Sequence, residues 1–328
     1  LLTRAYSTGN RTIRAIEATT SSLPPLPGVS IVRRPQSEDL FTLPELLRAR
    51  GYQTLWCYGG RALFDGMGRY LRHNGIDRIV EQSDYPKGTF KTAWGVADEA
   101  IFDRALTEMD AMAATGRPFY TLILSVSNHR PFTYPEGRIP VDRRFHRRES
   151  AVRYADWALG RFIRQARQHA FFKDTLFVLM GDHGARVYGA AEIPLASYEV
   201  PVLFLAPGVV PAGRRLATLA SSLDIPPTVL GLLGMEYDSK FFGHDLFHVD
   251  PAAGRALMTH NNEIALLRGG RIAVLGLHQS TAVYDLGPDY ALRPVRALDA
   301  DGRELIEDAI AYYDGADTLY RNGACAFR

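Results

Sequence analysis

Thr175–Gly184 reads TLFVLMGDHG, a short apolar run that stops abruptly at Asp182, His183 and a glycine. An apolar run of this length, closed by a turn signal, predicts a buried strand. In an open parallel sheet the reacting groups stand just beyond the carboxyl ends of the strands. Asp182 and His183 are therefore expected where chemistry is done. A carboxylate oxygen beside an imidazole nitrogen suits Zn²⁺ or Mn²⁺. The competing reading is a plain turn, with Asp182 capping the segment after it.

Working outward, Glu149–His169 has the spacing of a long helix, with Val152, Ala155, Leu159, Phe162 and Ile163 inward. Val200–Ala206 reads as a further apolar strand. Ser221–Leu233 reads as a helix with Pro226 and Pro227 in its first turn, where a missing N–H matters least. Upstream, Phe119–Val126 is the clearest strand. It runs into Ser127-Asn128-His129-Arg130-Pro131-Phe132, again polar groups at a strand's carboxyl end, which makes His129 a candidate site residue. Val96–Ala113 is an amphipathic helix. Phe41–Arg50 predicts a helix stopped by Gly51, Thr54–Tyr58 a strand, Leu63–His73 a helix and Ile76–Val80 a short strand, in α/β alternation. Tyr58-Gly59-Gly60-Arg61 is the loop at the end of one of these strands.

Near the start, Tyr6–Ala18 carries a glycine turn and then a helix start at Thr12, with Ile13 and Ile16 as its apolar face. A hydroxyl at a helix N-terminus is either a cap or a nucleophile placed where an anion is stabilised. After Asp250 the texture changes to short runs, Ala256–Thr259, Ile264–Arg268, Arg271–Leu275 and Thr281–Leu286, with turns such as Gly269-Gly270. These predict a small antiparallel sheet, closed by a helix over Glu304–Tyr313. The expected fold is α/β, a largely parallel sheet sandwiched by helices with a small C-terminal α+β subdomain. The expected division is residues 1–248 and 249–328.

The 328 residues suffice for one large α/β domain or two smaller ones. A net charge of +2 is too small to argue for a nucleic-acid partner. Cys57 and Cys325 are the only cysteines, too few for a disulfide framework or a zinc cluster. No apolar run reaches the ~18 residues of a membrane span, and no signal peptide is visible. The chain starts Leu1-Leu2-Thr3 without Met, as a part of a longer protein would.

Five stretches together resemble the sulfatase-like branch of the alkaline phosphatase superfamily: the Thr12 segment, SNHRPF at Ser127–Phe132, GDHG at Gly181–Gly184, SLDIPPTVLGLLG at Ser222–Gly234 and GHDLF at Gly243–Phe247. GDHG alone is a weak signal; the five in order are specific. Within that branch the likeness is to lipoteichoic acid synthase-like phosphoglycerol transferases. A sulfatase in the strict sense would carry a Cys or Ser in a C/S-x-P-x-R context, which Cys57 does not fit. The nucleophile position instead reads TGNRT and resembles the threonine of the transferases, with Thr8 as the fallback to Thr12.

The resemblance implies a divalent metal, Mn²⁺ or Zn²⁺ with Mg²⁺ as a further option, held by Thr12, Asp182 and His183. It implies attack by Thr12 on a phospholipid head group, a phosphothreonine intermediate, and transfer to an envelope glycan or glycolipid. Arg11 would neutralise phosphate charge, and His129 would protonate the leaving group or bind phosphate. The family's phosphoglycerol pocket differs here, and Tyr58, Arg61 and Asp65 are the candidates for the altered pocket. The resemblance also implies a Glu upstream of the nucleophile, at a position that would fall before Leu1; either the chain is part of a longer protein or the site is incomplete, and Glu17 lies too close after Thr12 to replace it. The implied setting is the cell membrane, with this domain extracytoplasmic or periplasmic and tethered by membrane segments outside this chain. Two rival expectations are a phosphodiesterase or phosphonate-type hydrolase and a non-catalytic envelope-binding domain. His244 is expected to be structural and His260 a weak candidate ligand.

Overall fold

A computed structural model describes residues 1–140, 147–185 and 192–327. The chain clusters into two compact units, one of residues 1–43 with 176–328 and one of residues 44–175.

In the 44–175 unit a three-stranded parallel sheet has Gln53–Tyr58 at its centre, flanked by Arg78–Val80 and Phe119–Leu124. The central strand's register runs from Gln53 opposite Phe119 to Tyr58 opposite Leu124, so both strands end at the same edge. Asp98–Ala113 packs on this sheet. Ile101, Phe102, Ala105, Leu106 and Met109 form its buried stripe, at the spacing that puts one side of a 3.6-residue helix against a core. Arg148–Ala166 packs against it in turn, with Phe102 and Phe162 stacked at 5.0 Å. The expected helix over Leu63–His73 is interrupted: Asp65 adopts φ +51°, and a short 3₁₀ turn over Phe64–Gly66 precedes the helix Met67–His73.

The other unit carries the Thr12–Ser21 helix, reached from the short strand Ala5–Tyr6, which pairs in parallel with Ala220–Ser221. Phe177–Met180 is the strand expected from the apolar run, and it pairs antiparallel with Val202–Leu205. Thr12–Ser21 packs against the turn Ser222–Asp224 and the helix Ile225–Leu232, whose two prolines stand in its first turn. The C-terminal segment forms one five-stranded antiparallel sheet: Arg255–His260, Glu263–Arg268, Arg271–Leu275, Thr281–Leu286 and a fifth strand, Leu292–Pro294, which the sequence pattern does not signal. Gly269 and Gly270 both take positive φ, as a two-residue hairpin turn requires.

Both faces of this sheet are covered, which is why its strands read as short continuous apolar runs. Leu257, Leu266 and Ala273 point at the last helix, and Met258, Leu267 and Ile272 at Tyr198 and Leu195. That last helix spans Ala300–Arg321, far longer than Glu304–Tyr313. Its apolar face continues through Leu305, Ala309, Tyr313, Ala316 and Tyr320, and the Asp299 side chain caps its start by accepting from Gly302 N. Gly315 and the acidic residues of its second half mask that periodicity in the sequence. Asp224 and Arg255, the first residue of the sheet's first strand, form a buried ion pair at 3.0 Å. Among the described residues no helix is long and apolar enough to cross a membrane.

Candidate active site

The glycine turn at Gly9 delivers the chain into a helix whose first residue is Thr12. Arg11 is the N-cap, and its side chain makes no capping bond. The Thr12 hydroxyl instead donates to Asp182 Oδ2 at 2.6 Å, across 170 positions of sequence. Capping is thus not the hydroxyl's role. Thr8, the fallback, is 1% exposed and its hydroxyl donates to the Arg14 carbonyl at 3.2 Å, as a structural side chain.

Asp182 both closes its turn and faces the threonine. Oδ1 accepts the backbone N–H of His183 at 3.0 Å, fixing the turn, and Oδ2 accepts from Thr12. His183 Nδ1 lies 2.9 Å from the Gly184 carbonyl oxygen. A carbonyl only accepts, so Nδ1 carries a proton; in the neutral ring the lone pair is then the one on Nε2. That nitrogen stands 3.6 Å from Asp182 Oδ2. Gly184 is held by its N–H to the Ser197 carbonyl; a Cβ there would come within 2.6 Å of that same oxygen.

The Thr12 hydroxyl and the His183 imidazole therefore both face Asp182 Oδ2. In donor type these groups are ones that a borderline divalent ion such as Zn²⁺ or Mn²⁺ accepts. The carbonyl that orients His183 is the outer support that metal-bound imidazoles usually have. Among the described residues no group of three His, Cys, Asp or Glu converges on a single point. Glu17 is excluded as a ligand by its own partners. It is 1% exposed, paired with Arg14 at 3.0 Å, and accepts from Ser30 Oγ at 2.5 Å and Ile31 N at 3.3 Å. Burial pushes its carboxyl above the usual range against the opposing pull of Arg14. Arg11 borders a cavity of about 250 Å³ shared with Arg14, Arg33 and Asn261.

His260 Nδ1 lies 2.7 Å from the Tyr198 hydroxyl, which also donates to the Thr259 carbonyl. His244 is used through its backbone: its N–H donates to Asp224 Oδ1 at 2.8 Å, and burial lowers its imidazole pKa.

The remaining candidates, Tyr58, Arg61, Asp65 and His129, belong to the 44–175 unit. Tyr58 is 5% exposed with its ring stacked on Trp56 at 5.0 Å. Burial and then the Asp65 charge raise its phenol pKa. Arg61 is exposed and Asp65 half-buried on the adjoining turn. His129 is half-buried and stacks on Trp94, with ring centroids 4.5 Å apart and planes at 26°.

Two supporting residues carry no clear signal in the sequence. Asp98, fully buried, accepts from Val126 N at 2.8 Å and Ser127 N at 2.9 Å, and so holds the start of the SNHRPF loop. Trp94 sits on the turn of the two-residue hairpin Lys91–Thr92/Gly95–Val96. That hairpin lies on the Tyr58-Gly59-Gly60 loop: Val96 N donates to the Gly59 carbonyl, and Gly95, at φ +147°, approaches it so closely that a Cβ would lie 2.2 Å from the oxygen. A Cβ on Gly60 would stand 2.7 Å from the Trp94 carbonyl oxygen. Trp94-Gly95, between Thr92-Ala93 and Val96-Ala97, is the trace of this hairpin in the sequence.

The family model described as Sulfatase matches residues 1–235. The chain belongs to the sulfatase family. A protein of the alkaline phosphatase superfamily from Vibrio parahaemolyticus shares 32% identity with this sulfatase-family chain, covering 100% of it and 80% of its own length, with a TM-score of 0.93. The lipoteichoic acid synthase LtaP from Listeria monocytogenes superposes with a TM-score of 0.80 at 19% identity, over 98% of this chain and 83% of its own. Among curated relatives, lipoteichoic acid synthase 2 of Bacillus subtilis (strain 168) is 25% identical over 243 residues, 66% of this chain and 36% of the relative. Phosphoglycerol transferase I of Xanthomonas campestris pv. campestris is 26% identical over 222 residues, 63% of this chain and 31% of the relative. The match thus spans about a third of each of these curated relatives. The superfamily resemblance and the α/β fold expected from the sequence are both borne out. Members of this superfamily generally use divalent metal ions.

Proposed function

We propose that this chain is the catalytic part of an envelope transferase. It would move a phosphoryl-linked head group, phosphoglycerol in the first instance, from a membrane phospholipid to a glycan or glycolipid acceptor. The observation that carries the reading is the Thr12 hydroxyl aimed at Asp182 Oδ2 at 2.6 Å, beside a His183 whose Nδ1 faces the Gly184 carbonyl and whose Nε2 faces Asp182. The names of the curated relatives support the phosphoglycerol head group. The catalytic domain is taken as residues 1–248, with 249–328 as its C-terminal subdomain. The setting is the outer side of the cell membrane, in the periplasm.

Thr12, Asp182 and His183 would hold a divalent metal, which lowers the pKa of the threonine hydroxyl and polarises a phosphoryl oxygen. Thr12 gives its proton to Asp182 Oδ2, the acceptor of its hydrogen bond, and turns an oxygen lone pair to phosphorus. The Oγ1–P bond forms as the bond from phosphorus to the diacylglycerol oxygen breaks, and His129 gives that oxygen its proton, a role that rests on the SNHRPF motif. An acceptor hydroxyl then attacks phosphorus and gives its proton to His129, while the P–Oγ1 bond breaks and Asp182 returns the proton to Thr12, so one difficult displacement becomes two easier ones. Arg11, at the head of the same helix, would offset phosphate charge. Arg61 and Asp65, backed by Tyr58, would form the head-group pocket.

The test is peptide mass spectrometry after incubation with Mn²⁺ and phosphatidylglycerol or phosphatidylethanolamine. A head-group phosphate adduct on Thr12, lost in Thr12→Ala, is the expected result, and the lipid that gives it names the donor. A folded, metal-binding chain that turns over lipid with no adduct would replace the covalent mechanism by direct hydrolysis.

A further inference from the structure

The Phe64–Trp94–His129 array is a ring ladder built from three separate segments. Phe64 meets the Trp94 ring edge-on at 5.8 Å and 89°, and Trp94 stacks on His129 at 4.5 Å and 26°. The indole Nε1–H donates to the Arg130 carbonyl at 2.7 Å. One side chain therefore grips both the His129 ring and the neighbouring peptide unit. Trp94 is itself held. Its N–H donates to Thr92 Oγ1 at 3.0 Å, and its hairpin is seated on Gly59 and Gly60 with no space for a side chain at either contact. An indole on a rigid hairpin has few rotamers to lose, and a stacked imidazole gains most over it when cationic, because the indole face is electron-rich.

We propose that Trp94 is the positioning residue for His129, fixing the plane of its ring and favouring its protonated form. This rests on the reading of His129 as the proton donor to the leaving oxygen. A proton donor must carry its proton on arrival, and a ring free to turn about its side-chain bonds would present the wrong nitrogen for much of the time. The indole supplies both conditions without touching substrate. Among the described residues, the charged groups on the elements around the ladder are Arg61 and Asp65 beside Phe64, Lys91 on the hairpin, Arg130 in the histidine's own turn, and Arg148 lying over Phe132. Two further carboxylates hold the same segments: Asp98 accepts from Ser127 N at 2.9 Å and Glu81 from Ala62 N at 2.7 Å.

The test is an NMR pH titration of the His129 ring, assigned by its absence in His129→Ala, in the wild-type chain and in Trp94→Ala and Trp94→Phe. Removing the ring face should lower the His129 pKa by about half a pH unit, the size of one partly exposed cation–π contact. Trp94→Phe, which keeps a ring but loses the N–H, should lie between. Tryptophan emission should also fall as His129 protonates, and this step should vanish in His129→Ala and Trp94→Phe alike. An unchanged His129 titration in a folded Trp94→Ala chain would overturn the proposal. If the titration shifts but His129→Ala still forms the Thr12 adduct at the wild-type rate, the stacking stands and the assigned role of His129 falls.

Discussion

Replacing Glu17 by Ala should be among the most damaging single changes in the chain, although Glu17 touches no reacting group. The side chain lies one turn below Thr12 on the same helix, 1% exposed, and is the charge partner of an Arg14 that is 6% exposed. Arg14 is also tied to the Leu26 carbonyl at 2.9 Å and the Gly28 carbonyl at 2.6 Å, so it cannot swing out to water without breaking both bonds. Removing the carboxylate leaves a guanidinium buried without its counter-charge, which costs about 3–5 kcal/mol. Ser30 Oγ and Ile31 N lose their acceptor as well. Against a total stability of roughly 5–15 kcal/mol, that is a large share.

Urea unfolding followed by circular dichroism measures this directly. Glu17→Gln, which keeps an acceptor for Arg14 and Ser30, should lose clearly less than Glu17→Ala. The double variant Glu17→Leu/Arg14→Met should recover part of the loss. The pH dependence has a definite sign. Burial raises the Glu17 carboxyl pKa in the folded state, so the folded chain binds the proton more readily than the unfolded one. This group's contribution therefore falls as pH rises above the ordinary glutamate value, a slope that Glu17→Gln removes. A Glu17→Ala chain within about 1 kcal/mol of wild type would refute the reasoning, because it would mean that Arg14 is solvated or neutralised some other way.

Asp98→Ala should cost about 2–4 kcal/mol, since it strands two buried backbone N–H groups, and should speed hydrogen exchange at Val126 and Ser127. Asp98→Asn keeps the acceptor and should be milder; equal losses in the two variants would show that the charge and not the acceptor matters. Burial, followed by the charge of Glu108, pushes the Cys57 thiol up to about 12, so it should resist iodoacetamide at pH 8 in the native chain and react only after unfolding. The same shift makes stability decline as pH rises above the ordinary thiol value, where only the unfolded chain ionises. Gly95→Ala should destabilise by at least about 2 kcal/mol, from a positive φ and a Cβ driven to 2.2 Å from the Gly59 carbonyl oxygen, and should alter Trp94 emission. An unchanged melting midpoint would show that the hairpin can lift away.

The α/β class and most strands and helices are legible in the amino-acid sequence because they depend on local pattern, whereas the candidate site residues rest chiefly on the resemblance carried by the five motifs. An apolar run must be buried, a 3.6-residue stripe must face a core, and a run that breaks into Gly-Asp-His must end at an edge. The long last helix is cut short in a pattern-based reading because Gly315 and its acidic neighbours hide a stripe that only the sheet beneath it completes. Three further features have no local signature. The Thr12 hydroxyl is a nucleophile candidate and not a cap because Asp182, 170 residues away, accepts its proton. The His183 tautomer is set by one carbonyl oxygen. Trp94 and Asp98 gain their roles from backbone groups at 126–130 that sequence spacing cannot bring near them. Sequence alone determines which groups must leave water and which must stay at an edge, since transfer from water depends on each residue and its neighbours. Which donor meets which acceptor is decided by the packed fold alone, because a hydrogen bond needs contact to within a few tenths of an ångström.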